Sequence, residues 1–174
     1  MDNTPNEIRT IAETRFLRLV ERGTWSYVQR TNEVRVVAVS AFTPENEIIL
    51  VEQFRPPVQC NVIELPAGLA GDIAGEQDES LQTAAERELL EETGFVAKSW
   101  ERIADLSSSA GLTDEVVTLF HAQDLTREHE GGGVDNENII VHLIPKEDVV
   151  SWLKAQQADG KLIDGRVYAG LFFG

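Results

Sequence analysis

The sequence predicts an α+β domain in which strands outnumber helices, on three observations. Its 174 residues are 42% hydrophobic and 26% charged, which is the profile of one globular domain with enough apolar content for a real core. From Thr14 to Glu64 short β-prone runs alternate with turn signals. From Glu79 to Thr93 the composition is strongly helical and is closed by Gly94 at a C-cap position.

The elements follow in order. Arg15–Arg22 and Thr24–Arg30 flank Gly23, and Val34–Phe42 is so continuously apolar that it reads as a central strand covered on both faces. Glu47–Phe54 follows a Thr-Pro-Glu-Asn break and ends at Pro56-Pro57, and together these runs predict an antiparallel meander. Asn61–Leu65 is another short strand, and Pro66, Gly68 and Gly71 then mark a loop without regular structure. After the helix come strands at about 100–106, 115–123 and 139–143. A polar, Gly-rich loop at 127–138 separates the last two. Pro145 opens a helix of the VVSWLKAQQA type, and a last apolar helix runs from about Gly165 to Phe173.

Composition excludes several classes. A net charge of −15 argues against sequence-independent nucleic-acid binding, whose affinity comes from Lys and Arg neutralising phosphates. It tolerates a phosphorylated small molecule if local arginines or a divalent cation offset the repulsion. No run of eighteen apolar residues suggests a membrane span. The single Cys60 allows no internal disulfide and no cysteine zinc cluster. With no apolar targeting segment following a basic one, the expectation is a cytoplasmic protein.

The helix carries the chemistry. At about 100° per residue Leu81, Ala84, Ala85, Glu88 and Glu92 fall within about 80° of one another, with Glu91 just off that arc, while Leu89 and Leu90 face elsewhere. A Glu-rich helix is ordinarily a solvated face, but carboxylates on the apolar stripe repel one another and need a cationic partner. Arg87 brings one charge from another part of the wheel. Hard oxygen ligands converging from one helix suit Mg²⁺ or Mn²⁺, with a backbone carbonyl from the Glu64–Leu69 loop. Such a site polarises a phosphoryl oxygen and activates water.

The run Arg87–Phe95, RELLEETGF, resembles the second half of the Nudix box, G-x5-E-x7-R-E-U-x-E-E-x-G-U, at every specified position, and Glu79 stands at the required distance before Arg87. The opening Gly departs from the pattern. Ile73 occupies its position, and Gly68 belongs there by context, so the loop is about five residues longer than usual. VEQFRPPVQCNVIELPAGL and TWSYVQR resemble the ADP-ribose pyrophosphatase branch of the family, and SSSAGLTDE and GGGVDNENIIVH resemble its substrate-side loops. The resemblance implies the Nudix fold, a mixed sheet sandwiched between helices, over residues 34–174. It implies a small N-terminal antiparallel sheet, residues 1–33, used for dimerisation and base binding.

By that resemblance Glu88, Glu91, Glu92 and the carbonyl of Ala67 bind metal, and Arg87 orients the glutamates from behind. Arg55, rigid before two prolines, is a diphosphate ligand or a surface salt bridge, and Glu64 is its buried partner or a substrate contact. Strand aromatics are commonly core, yet Phe16 and Trp25 match a pair that sandwiches adenine, one of them contributed across a dimer, with Arg30 nearby. Gly111 and Leu112 match a turn that cradles the terminal ribose. An acidic residue of the 127–138 loop takes a proton from the attacking water. Asp135 is favoured because Gly131–Gly133 form a hinge that could deliver it; Glu137 is the alternative, with Glu91 behind both. His121, His142 and Cys60 are structural.

The function this implies is Mg²⁺-dependent (Mn²⁺ is the alternative) hydrolysis of ADP-ribose to AMP and ribose 5-phosphate by a homodimer acting on small-molecule nucleotide sugars. ADP-glucose or another nucleoside diphosphate sugar is the runner-up substrate. A non-catalytic nucleotide-sugar sensor would be expected to lack a box acid, and none is missing. An acidic interaction protein without a small ligand would leave the glutamates on the apolar stripe unexplained.

Overall fold

The computed structural model describes residues 7–32, 34–71, 78–134 and 138–174. In chain order it contains β1 (Ile8–Glu13), β2 (Leu17–Arg22), β3 (Trp25–Arg30), β4 (Arg35–Ala41), β5 (Glu47–Arg55), β6 (Cys60–Glu64) and β7 (Ala67–Ala70). These are followed by α1 (Leu81–Thr93), β8 (Phe95–Ser107), β9 (Val116–Arg127), β10 (Ile140–Pro145), α2 (Val149–Ala158), β11 (Leu162–Ile163) and α3 (Gly165–Phe173).

Strand β4 shows why this sequence folds in layers. Its side chains alternate across the sheet: Val37, Val39 and Ala41 join the apolar cluster that includes Ala84, Ala85 and Leu89 of α1, while Val36 and Ala38 join the cluster holding Leu153 of α2 and Val167 of α3. Helices therefore cover both faces, as the near-continuous apolar run requires. Two four-stranded mixed sheets make the body, ordered β7-β4-β9-β8, with β4 and β9 parallel, and β10-β5-β6-β11, with β6 and β11 parallel. An antiparallel three-stranded sheet, β1-β2-β3, forms the N-terminal unit.

Several expectations need correction. The predicted meander does not form: β3 and β4 belong to different sheets, and β4 pairs with β7 and β9 instead of β5. Turn signals show where strands stop but carry no information on what pairs with what. The segment after Pro66 is strand β7, not irregular loop; it pairs antiparallel with β4, with Gly71 at φ +81° ending it. Strand β1 escaped notice because all six of its residues are exposed, so no apolar alternation marks it. Leu89 does not face away from Ala84 and Ala85 but is fully buried in the same cluster. Strand β8 begins at Phe95, five residues before the expected start, and Pro145 closes β10 while Asp148 precedes α2.

Candidate active site

Helix α1 is set by its ends. Ser80 caps the N-terminus by accepting from the Thr83 N–H, and Gly94, at φ 77°, donates its N–H to the Leu90 carbonyl. The glycines of the following loop tighten this end. Gly132 N donates to Glu92 O at 2.8 Å and Gly133 N to Glu91 O at 3.1 Å, so these N–H groups satisfy carbonyls of the last helical turn. A Cβ on Gly131 would lie 2.5 Å from the backbone carbon of Thr93. The three glycines are thus an anchor on α1, not the free hinge expected from their composition. Asp135 and Glu137 lie outside the described residues.

Arg87 staples the helix to β7. Its Nη2 donates to Leu69 O at 2.9 Å, its Nε to Glu79 Oε1 at 3.2 Å, and its Nη1 to Glu88 Oε1 at 2.8 Å and Glu91 Oε2 at 3.2 Å. One guanidinium reaches three carboxylates because its fork spans them, which wheel angles alone do not reveal. Burial disfavours its charge, but Glu79 and Glu88 outweigh that and hold the guanidinium protonated more firmly than usual. Burial likewise works against Glu79 ionising, and Arg87 with the Gly71 N–H outweighs it, so that carboxyl titrates below its ordinary value.

Glu92 is buried at the foot of the cleft. Its Oε2 accepts from Ala67 N at 3.0 Å and its Oε1 from Gln53 Nε2 at 3.1 Å. The Glu88 carboxylate lies against Gly68, where a Cβ would come within 1.9 Å of Oε1. Gly68 therefore serves close approach, which explains why it takes the place of the displaced box glycine.

Arg55 ends β5 and donates from Nε to Glu64 Oε2 at 2.7 Å. Arg166, at the start of α3, reaches Glu64 Oε1 at 3.4 Å and is itself held by the helix-capping Asp164 at 2.6 Å. Glu64 is thus the buried partner of two guanidinium groups. Arg30 Nε donates to Glu115 Oε2 at 2.8 Å.

A cleft of about 440 Å³ gathers Arg30, Arg55, Glu64, Ala67, Glu88 and Glu92. Glu91 is not among its lining residues; it is turned to Arg87. Phe16 and Trp25 are both exposed rather than core, and they stand apart: Trp25 is paired with Arg22, six residues along β2 from Phe16, roughly 20 Å at strand spacing. Trp25 instead joins Gly111 and Leu112. Its Nε1 donates to Gly111 O at 3.3 Å, and Val28 N donates to Leu112 O at 2.8 Å.

Sequence reading missed Gln53, Glu115 and Arg166. Gln53 shares a strand face with Arg55 by two-residue alternation, and Arg166 is the lone cation of an otherwise apolar helix; both signals were present. Nothing local marks Glu115, whose partner lies 85 residues earlier.

Among the described residues no three acidic, histidine or cysteine side chains are gathered around one point as they stand. The donor chemistry still fits a hard divalent cation. Glu88, Glu92 and Ala67 line the same cleft, and Glu91 stands three residues from Glu88, about one turn along the same helix.

This fold and this acid-bearing helix define a class. A model of the NUDIX domain matches residues 31–169, and the chain belongs to the Nudix family. Among curated relatives, the methanol dehydrogenase activator of Bacillus methanolicus is 36% identical over 104 residues, 60% of this chain and 54% of that protein. The ADP-ribose pyrophosphatase of Bacillus subtilis is 35% identical over 122 residues, 70% and 63% respectively. The ADP-sugar pyrophosphatase of Mus musculus is 34% identical over 165 residues, 84% and 71%. The chain thus spans little more than half to under two thirds of the first two relatives. A solved structure described as an ADP compounds hydrolase shares the fold, with TM-score 0.65, 22% identity, and 83% of this chain and 80% of that one covered.

Proposed function

We propose that this chain hydrolyses the diphosphate of ADP-ribose, or of a related nucleoside diphosphate sugar, to AMP and ribose 5-phosphate. One observation carries the reading: a single cleft is lined by Glu88 and Glu92 together with Arg30, Arg55 and Arg166. Acids able to hold a divalent cation and cations able to hold phosphate, in one cleft, are what diphosphate hydrolysis needs. The names of the Bacillus subtilis and mouse relatives support the substrate class.

In this reading Glu88, Glu91, Glu92 and the Ala67 carbonyl hold Mg²⁺ or Mn²⁺, which supplies charge neutralisation on the diphosphate and a water of lowered pKa. Gln53 and the Ala67 N–H fix the Glu92 carboxylate, and Arg87 fixes Glu88 and Glu91. Arg55, locked by Glu64, binds a phosphate without reorganising. A carboxylate of the 127–138 loop, Asp135 first and Glu137 second, takes the proton from water.

The protein works as a homodimer in this reading, within the cytoplasm. Phe16 and Trp25 lie too far apart on one chain to clasp a base, and the N-terminal sheet leaves Ile8, Ile11, Leu17 and Leu19 exposed. The Trp25–Gly111–Leu112 surface of one copy then completes the cleft of the other.

The test is phosphate release, coupled to a phosphatase, from ADP-ribose, ADP-glucose, GDP-mannose, NADH and diadenosine polyphosphates with Mg²⁺. ADP-ribose should give the highest kcat/KM. Preference for another sugar moves the substrate, and release from none leaves the sensor reading.

A further inference from the structure

Glu64 is shared by two guanidinium groups that use it differently. Arg55 donates to Oε2 through Nε alone, at 2.7 Å, and its two terminal nitrogens make no hydrogen bond among the described residues. A guanidinium beside a carboxylate commonly takes both oxygens with two parallel N–H groups. Here Oε1 lies with Arg166 instead, whose Nη2 is 3.4 Å away. The main chain of Arg55 is fixed as well, because its carbonyl accepts from the Val58 and Gln59 N–H groups of the turn at Pro56-Pro57.

Arg166 is turned inward. Its Nε and Nη2 fork onto the two oxygens of Asp164 at 2.9 and 2.6 Å, and its side chain is 21% exposed against 43% for Arg55. Topology puts this pair beside Glu64: β11 runs parallel to β6, and Asp164 N donates to Ile63 O at 2.9 Å. Burial disfavours the Asp164 charge, but Arg166 outweighs it and the charge of Arg55 adds to the effect, so that carboxyl titrates below its ordinary value. Two carboxylates, Glu64 and Asp164, thus share two guanidinium groups. Without Arg166 both would lose a cationic donor, and a buried anion left so is costly. Arg55, whose charge already reaches Asp164, would be drawn onto them with its terminal nitrogens.

We propose that Arg166 is a positioning residue: by occupying Glu64 Oε1 and Asp164 it confines Arg55 to a single contact through Nε and leaves the terminal nitrogens of Arg55 free to hold a phosphate of the substrate. The substrate in this assignment rests on the hydrolase reading, and the geometry rests on the ion network alone.

Two measurements test it. Arginine side-chain NMR of the full chain, without substrate, reads rotation about the Arg55 Cζ–Nε bond. With one contact through Nε, the terminal amino groups should exchange places rapidly in the wild type, and Arg166→Gln should slow that exchange at least several-fold as Arg55 closes onto a carboxylate with two N–H groups. Hindered rotation in the wild type overturns the proposal, whether or not an Arg166 variant folds. The second measurement is a double-mutant cycle on KM for ADP-ribose with Mg²⁺. Arg166→Gln alone should raise KM roughly tenfold, with kcat changing less, whereas in an Arg55→Ala background it should change KM by less than about twofold, since the group it positions is gone. An equal rise in both backgrounds overturns the proposal, because Arg166 would then act on the substrate independently of Arg55. So does a lower melting temperature with unchanged KM, the signature of a residue that only holds α3 in place. The two measurements separate the readings: if no nucleoside diphosphate sugar is hydrolysed, the hydrolase falls and NMR still decides how Arg55 is held; if turnover is present and the cycle is additive, only the role of Arg166 falls.

Discussion

The corner where α1 meets β7 and the hairpin β2–β3 hold two parts of the candidate site, and they are built in opposite ways. At the corner the acidic side chains are held by partners within one chain: Arg87 spans Glu79, Glu88 and Glu91, and Glu92 is held by Gln53 and Ala67. On the hairpin Phe16 and Trp25 are about two thirds exposed and stand at opposite ends. On the proposed function, the contrast puts the reacting groups in a frame pre-organised by one chain, where a small displacement costs rate. In the same proposed reading base recognition rests on stacking and is left to assembly.

The largest expected effect is at the corner. Glu92→Gln keeps the shape of a buried side chain but removes charge that a cation needs. Turnover at saturating Mg²⁺ should fall more than about 100-fold, with the melting temperature shifted by no more than a few degrees. A near-normal rate would remove the metal assignment and with it half of the contrast.

On the hairpin, Trp25→Ala should raise KM for ADP-ribose roughly 10- to 100-fold, the size of one lost stacking contact, with kcat changing less. Its exposure predicts an unchanged melting temperature. Mixing Trp25→Ala with Glu92→Gln sharpens the comparison: if one copy's hairpin serves the other's corner, hybrid dimers regain a complete site and a low-KM activity. Absence of such rescue in a mixed dimer would place Trp25 on its own cleft.

Gly68→Ala should act more mildly. The new Cβ displaces the flexible end of Glu88, not backbone, so apparent Mg²⁺ affinity should drop about tenfold while stability barely moves. Loss of the fold instead would show that β7 cannot shift at all.

The smallest effect on turnover is expected away from both regions. Glu52 is 4% exposed and accepts from Lys161, Asn61 and His142. Burial would raise its pKa, but these donors outweigh it and bring it from 4.5 to about 2. Because the folded value lies below the unfolded one, this stabilisation is present above about pH 4.5 and is lost as pH falls toward 2. It amounts to about 3 kcal/mol at most. Thermal melts across that range should show a steeper acid loss in the wild type than in Glu52→Gln, with activity at pH 7 unaltered.

Much of the corner was legible in the sequence because its signals are local. The i, i+3 and i+4 spacing of Glu88, Glu91 and Glu92, the Gly94 cap and the apolar run of β4 all act within a few residues, so one-dimensional pattern carries them. The acid helix, the strand-rich α+β class and the family resemblance followed from those alone. Tertiary structure decided what depends on distant partners: that β4 lies beside β9 and not β5, that Arg166 and Arg55 share Glu64, that Glu115 meets Arg30, and that Gly131–Gly133 anchor to α1. Side-chain reach and strand pairing across many residues leave no periodic trace in the sequence, because the free energy that selects them comes from contacts formed only when the sheets and helices have packed.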